Sequence, residues 1–242
     1  DAQTGVIYAA EALLRQRRQS GELREASIIH EAAEENGGAE LFMLDHILVR
    51  KAYTDAARWQ SFSDIRLNVN LSPRELQEGH VVDRLTELLS SCGIDTHKVN
   101  IEITETAHIE DLQSVEKTLH ALKALGLELW LDDFGTGHSA IDHLLHFPID
   151  GIKLPGTFVT PLPTDHRCRA ITRNLIALAH DLGMTVIAEG VEQKGQLDFL
   201  RELGCEYIQG FLFSQPMPVA ELERLAQASH PRNTDRAAAP DP

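Results

Sequence analysis

Cysteine is scarce in this 242-residue chain: Cys92, Cys168 and Cys205 are the three present, and they lie far apart. That excludes a disulfide framework and a cysteine-rich zinc site, and it fits a reduced, cytoplasmic compartment. Basic residues are in deficit too, 22 Lys+Arg against 37 Asp+Glu, for a formal net charge of -15. Long-range attraction to nucleic acid or to an anionic membrane is therefore not expected. An anionic ligand would need local help, for which a divalent metal is the candidate. No apolar run approaches membrane-spanning length, and no signal peptide is visible at the start. Any membrane link is expected to lie in sequence outside this chain.

What is present suits one large α/β domain. With 43% hydrophobic residues the chain can bury a substantial core. One theme recurs: a helical pattern ends in Gly, a short apolar strand follows, and the strand ends in a polar residue. Val115, Leu119, Leu122 and Leu125 keep one helical face apolar before Gly126. Ile171, Leu175, Leu178 and Leu182 do the same before Gly183, and Leu197, Leu200 and Leu203 before Gly204. Ser72-Pro73 is a good helix start, predicting a helix that reaches Gly93.

Seven strands are predicted, near 6–13, 66–71, 98–103, 127–132, 149–154, 184–189 and 205–211. Strands alternating with helices imply a parallel sheet, and this many in one domain favours a closed TIM-type (β/α)8 barrel. A doubly wound open sheet is the alternative, but no phosphate-binding glycine fingerprint follows the first strand. The count falls one short of eight, and Asp1 to Gly5 reads as the turn of a hairpin whose first arm would lie upstream. The barrel is expected over residues 1–228. Residues 229–242, rich in Pro and Ala with scattered charge, are expected to form a disordered tail.

Functional groups in a βα barrel gather where strands end at the carboxyl face. The predicted strand ends carry Glu11, Asn70, Glu102, Asp132 with Asp133, Lys153, Glu189 and Gln209; Glu105 and Glu192 follow three residues after Glu102 and Glu189. Asp132-Asp133 is the most informative pair, because adjacent carboxylates before a Gly-Thr-Gly turn repel each other unless a cation sits between them. A strand-ending turn is the bland alternative. Carboxylate and carboxamide oxygens without Cys or required His suit Mg²⁺ or Mn²⁺ rather than zinc. Several carboxylates around one mouth could hold two ions, able to clamp a phosphate and activate a water for in-line displacement. Lys153 would stabilise developing charge or orient the water, and Glu189 could take its proton. His138, His143 and His146 lie near the acidic loop without a convincing ligand spacing.

Six ordered motifs carry a resemblance. They are Glu11-Ala12-Leu13-Leu14-Arg15, Asn68-Val69-Asn70-Leu71-Ser72-Pro73, Glu102-Ile103-Thr104-Glu105, Asp132-Asp133-Phe134-Gly135-Thr136-Gly137 with Lys153, Ala188-Glu189-Gly190-Val191-Glu192, and Gln209-Gly210. Over about residues 1–220 the chain resembles the EAL family of cyclic di-GMP phosphodiesterases. The resemblance implies a TIM-type barrel with one antiparallel strand. It also implies hydrolysis of one phosphodiester of cyclic di-GMP to linear pGpG with two Mg²⁺ or Mn²⁺ ions. By motif position, Glu11, Asn70, Glu102 and Asp132 would be ligands of the first metal and Asp133 would hold the second. Lys153 and Glu189 would serve the nucleophilic water, Glu192 and Gln209 would support the site, and Arg15 would contact the dinucleotide. Glu105 would anchor the loop after Asp133, which belongs to the family's dimer contact, so a homodimer and an upstream regulatory or sensory domain are expected.

Three departures from the pattern stand out. The family follows its lysine with Ile-Asp, whereas Lys153 is followed by Leu154-Pro155, removing a carboxylate and a backbone donor beside the site. Gln16 stands where the family has Trp, and the Pro-x-x-Phe-Ile of the next helix is replaced around Glu25 to Ile28. The family's first strand, antiparallel and carrying a Gln-Pro-Ile-like motif, has no counterpart before Asp1, so truncation or a partner's strand is expected to account for it. The Pro155 departure sustains the alternative of a receptor that binds cyclic di-GMP without hydrolysing it.

Overall fold

Alternation within the strands separates two environments. In β4 (Arg66–Asn70), Leu67 and Val69 are buried apolar residues, and Arg66, Asn68 and Asn70 share the other face. β5 (Val99–Thr104) repeats the pattern with Ile101 and Ile103 against Asn100 and Glu102, and β6 (Glu128–Asp132) with Leu129 and Leu131 against Glu128, Trp130 and Asp132. The computed structural model describes residues 1–17, 23–25, 39–104, 111–137 and 140–229. Its main sheet has seven parallel strands in the order β1-β4-β5-β6-β7-β8-β9, where β1 is Ala9–Glu11, β7 Gly151–Leu154, β8 Thr185–Ala188 and β9 Tyr207–Ile208.

Helices cover the apolar face. α1 (Ala39–Gln60) precedes β4, and α2 (Pro73–Leu76) and α3 (Val81–Cys92) follow it. α4 (Leu112–Ala124), α5 (Ala140–His146), α6 (Gly156–Val159) and α7 (His166–Asp181) lie between later strands, and α8 (Lys194–Glu202) and α9 (Val219–Ser229) complete the set. Val115, Leu119 and Leu122 of α4 and Leu197, Phe199 and Leu200 of α8 join Leu67, Ile101, Leu129, Ile152 and Val186 in one apolar core. Asp111 and Asp165 cap α4 and α7 through their carboxylates. The opposite face curls on itself, for the rings of Tyr8, just before β1, and Tyr207 of β9 stack with centroids 3.7 Å apart. The interior is filled in part by Trp130, whose ring lies where a Cβ on Gly151 would come within 2.5 Å of it; only glycine fits there. The architecture is of the TIM-barrel type expected from the alternation of elements, as a curled sheet of seven parallel strands whose outer strands β1 and β9 are not hydrogen-bonded to each other among the described strands.

Several expectations need correction. The single helix predicted from Ser72 to Gly93 is two. Ser72 caps α2 in a full capping box with Glu75, and the chain breaks around Gly79, a poor helix former, before α3 buries Val81, Leu85, Leu88 and Leu89. The outer strands are shorter than predicted, 9–11 against 6–13 and 207–208 against 205–211, because each pairs on one side only among the described strands. α1 and an antiparallel ribbon of β2 (Arg15–Arg17) with β3 (Leu23–Glu25) were not anticipated. Residues 26–28 and Glu105 lie outside the described residues. So do residues 230–242 of the expected tail, whose first residue, Ser229, instead closes α9. Among the described residues no helix is long and apolar enough to cross a membrane.

Candidate metal centre

Parallel pairing in register delivers the strand-end side chains to one mouth. Asn70 pairs with Glu102, Glu11 with Asn68, and Thr104 with Asp132. At the centre stands the Lys153 ammonium, on a side chain only 1% exposed. Four carboxylates surround its Nζ: Glu189 at 2.7 Å, Glu102 at 3.0 Å, Asp132 at 3.3 Å and Glu11 at 3.4 Å. One ammonium falls short of four carboxyl groups in a medium that screens poorly, so the cluster must either hold protons on its most buried members or take up a cation.

Glu11, Glu102 and Asp132 are held by further donors. Glu11 takes Asn70 Nδ2 on Oε1 at 3.1 Å and Gln209 Nε2 on Oε2 at 2.9 Å. With its N–H group turned to Glu11, Asn70 keeps its carbonyl oxygen as the atom able to bind a metal. Glu102, whose side chain is 0% exposed, takes Asn68 Nδ2 on Oε1 at 2.7 Å. Burial pushes the Glu102 carboxyl up to about 8, the attraction of Lys153 offsetting only part of the desolvation. Burial likewise raises Glu189. The surrounding carboxylates, Glu102 foremost, hold Lys153 well above the usual lysine range in spite of its own desolvation, so it remains an ammonium.

The loop after β6 is fastened at several points. Phe134, buried, donates its N–H to the Lys153 carbonyl at 3.0 Å, and Asp133 donates its own to Asp132 Oδ1 at 3.0 Å. Asp133 adopts a left-handed φ of 54°, a conformation disfavoured for residues with a side chain though tolerated by Asp. Thr136 Oγ1, donating to the Asp133 carbonyl at 2.8 Å, helps to hold it. Among the described residues, Asp132, Asp133 and Glu189 each offer one carboxylate oxygen, and these three oxygens lie within 4.8 Å of one another. Asp132 and Glu189 thus serve both the lysine-centred cluster and this second group. The donor set is all oxygen, so the residues fit hard divalent cations.

The predicted residues do not all converge. Glu11, Asn70, Glu102, Asp132, Lys153, Glu189 and Gln209 meet at the mouth, with Asp133 beside them. Glu192 is exposed, three residues past Glu189, and its backbone N–H donates to Gln196 Oε1 at 2.8 Å. Arg15 is half-buried on β2, with its Nη1 donating to the Leu14 carbonyl. His143 is buried and stacks on Phe147, a packing role. Pro155 is buried at the N-cap of α6, where it offers the helix no side-chain acceptor.

Gln196 was not foreseen. Its buried carboxamide accepts from the backbone N–H groups of Glu192 and Gln193 at 2.8 and 2.7 Å and donates to the carbonyls of Val159 and Thr160 at 3.2 and 3.3 Å. It ties the loop bearing Glu189 to the segment following Lys153 and Pro155. It is the third helical residue behind the N-cap Gln193, and the two form a capping box in the structure, but Gln at the N-cap is not the Ser, Thr, Asp or Asn that marks such a box in sequence. Gln196→Leu is expected to lower the unfolding free energy by about 1–3 kcal/mol, the cost of orphaning buried polar groups. A urea melt tests this, and an unchanged midpoint would mean the loop is held by other contacts.

The family model described as EAL domain matches residues 1–216. The cyclic di-GMP phosphodiesterase NbdA of Pseudomonas aeruginosa is 34% identical over 226 residues, covering 93% of this chain and 29% of that protein. The signaling protein YkoW of Bacillus subtilis is 33% identical over 220 residues, covering 90% and 27%. Among solved structures, the PaMucR phosphodiesterase in complex with c-di-GMP superposes with a TM-score of 0.82 at 30% identity, covering 88% of this chain and 87% of that one. The manganese/cy-diGMP complex of BlrP1 from Klebsiella pneumoniae gives 0.74 at 30% identity, covering 86% and 51%. The chain spans little more than a quarter of the length of these two curated relatives.

Proposed function

The chain belongs to the EAL domain family, and from that premise we propose that it hydrolyses one phosphodiester of cyclic di-GMP to linear pGpG with divalent metal. The observation that carries this reading is the cluster at the barrel mouth, four carboxylates around Lys153 with Asp133 alongside. Glu11, Asn70, Glu102 and Asp132 would hold one Mg²⁺ or Mn²⁺ ion and Asp133, with Asp132, a second. Bound there, the ions would supply Lewis-acid polarisation of the phosphodiester and acidify an attacking water. Lys153, kept as an ammonium by its carboxylate neighbours, donates hydrogen bonds to the water and the developing phosphorane charge. Glu189, its carboxyl raised by burial and 2.7 Å from Lys153 Nζ, would accept the water's proton. The water oxygen forms the new bond to phosphorus, one 3′ oxygen leaves, and a proton returns to it. Arg15 would contact the dinucleotide, and Glu192 and Gln209 would support the site. Glu105 as the loop anchor, a homodimer, an upstream sensory domain, a cytoplasmic setting and a barrel over 1–228 followed by a tail complete the reading.

Pro155 favours a second reading, a receptor that binds without turnover, because the backbone beside Lys153 lacks both a carboxylate and an N–H. Incubating the purified protein with cyclic di-GMP and Mn²⁺ separates the two. The expected result is pGpG, abolished by chelation, with faster release from Pro155→Asp. Tight binding with the nucleotide left intact, and turnover only in Pro155→Asp, establishes the receptor; absence of binding sinks both.

A further inference from the structure

Two carboxamides with no place in the chemistry above lie buried inside the barrel. Asn68 is 2% exposed and Asn100 0%. They form a directional chain in which each carbonyl accepts from the group behind and each amide donates to the group ahead. Arg66 Nε donates to Asn100 Oδ1 at 2.9 Å, Asn100 Nδ2 to Asn68 Oδ1 at 2.9 Å, and Asn68 Nδ2 to Glu102 Oε1 at 2.7 Å. The far end is anchored near the opposite mouth of the barrel, where Arg66 pairs with Glu128 at 2.5 Å and lies over the Tyr8 ring. The register makes this possible, because Asn68 and Asn100 are direct cross-strand partners and Asn100 is the partner of Glu128.

Burying two carboxamides costs more than filling the space with apolar groups unless the hydrogen bonds are used. Here they end on the most buried carboxylate of the cluster. By occupying Oε1, the Asn68 amide fixes the rotation of the Glu102 carboxylate and leaves Oε2 facing Lys153 and the other carboxylates. We propose that Asn68, oriented by Asn100 and Arg66, is a positioning residue that holds Glu102 Oε2 toward the metal, so that metal affinity depends on a chain running through the barrel. Aligned hydrogen bonds polarise one another, and the chain begins on a guanidinium, so it stabilises negative charge on Glu102 along its length. This rests on the metal reading given under Proposed function.

The test is calorimetric titration with Mn²⁺ alone, without nucleotide, beside thermal melts in chelator. Asn68→Leu leaves Glu102 Oε1 without its donor and Asn100 without its acceptor. Mn²⁺ binding is expected to weaken by about 10–100-fold, the usual effect of removing a group that orients a ligand. The double variant Asn68→Leu with Asn100→Leu separates positioning from packing. Removing both amides is expected to return much of the lost melting temperature while Mn²⁺ binding stays as weak as in the single variant. Recovery of both together would overturn the proposal, as would wild-type affinity in either folded variant. Should both leucine variants fail to fold, Arg66→Met decides from the far end. Coulomb attraction alone predicts tighter cation binding once a positive charge is gone, whereas the chain predicts severalfold weaker binding, and tightening overturns it. Failure of the wild-type protein to bind Mn²⁺ removes instead the metal site on which the proposal rests.

Discussion

Glu102→Gln is expected to abolish most turnover and yet, in chelator at pH 8, to melt above the wild type. On the proposed reading the loss follows from removing the most buried oxygen that would face the metal, for which about a hundred- to thousandfold is expected. The gain follows from linkage. Burial raises the Glu102 carboxyl to about 8 in the folded protein against an ordinary value of 4.5. A carboxyl shifted upward favours folding in full below its unfolded value. That contribution is lost as pH rises between 4.5 and about 8, at up to roughly 1.4 kcal/mol per pH unit, because the folded state there binds more protons than the unfolded one. Glutamine does not ionise, so the variant escapes this loss. Its melting temperature in chelator should rise relative to wild type from pH 5 to pH 8, and Mn²⁺ should reverse the order by stabilising the wild type alone. A difference that stays flat across this range would mean Glu102 is ionised throughout and that Lys153 compensates it fully.

Much of this centre was legible in the residues because strand ends in a barrel share one mouth, so motifs distant in sequence can be assigned to one site before any coordinate is known. Asp132-Asp133 before a Gly-Thr-Gly turn, Glu11, Glu102, Lys153 and Glu189 were all placed in this way. The interior chain was not. In β4 the residues Arg66, Asn68 and Asn70 alternate with Leu67 and Val69, a pattern that in an open antiparallel sheet means a solvated face. Curling of the sheet, which brings Tyr8 against Tyr207, turns that face inward, and a pattern of period two does not say whether a sheet curls. Period-two polarity at Asn68 and Asn100, in neighbouring strands of a sheet already assigned as a barrel, was the signal available. The break at Gly79 escaped for a different reason. Ser72-Pro73 and the leucines of α3 are each sound helix signals, and the three residues between Leu76 and His80 decide that they belong to separate helices. Gln196 escaped because its value lies in tying two loops together, a pairing of segments that local pattern does not contain.

Lys153→Met should produce the opposite stability change from Glu102→Gln, and one that metal can repair. The ammonium is the one cation within 3.4 Å of Glu11, Glu102, Asp132 and Glu189 among the described contacts. Methionine has nearly its length and fills the same space, so packing is conserved while the charge is removed. Deleting one partner of a buried ionic cluster leaves the others uncompensated, at a cost of about 3–5 kcal/mol. In chelator at neutral pH the variant should therefore melt well below the wild type, and the deficit should shrink as the pH falls and the carboxyls protonate. Mn²⁺ then discriminates between causes. A divalent ion among the same carboxylates supplies the missing charge, so the variant should gain more stability from Mn²⁺ than the wild type does, and bind it at least as tightly. Turnover should stay low in spite of the repaired fold, because charge balance is replaceable whereas the hydrogen bonds proposed from Lys153 Nζ to water and phosphorane are not. Equal stabilisation of both proteins by Mn²⁺ would show that the ions bind away from Lys153, and recovery of turnover with the fold would confine the lysine to a structural role.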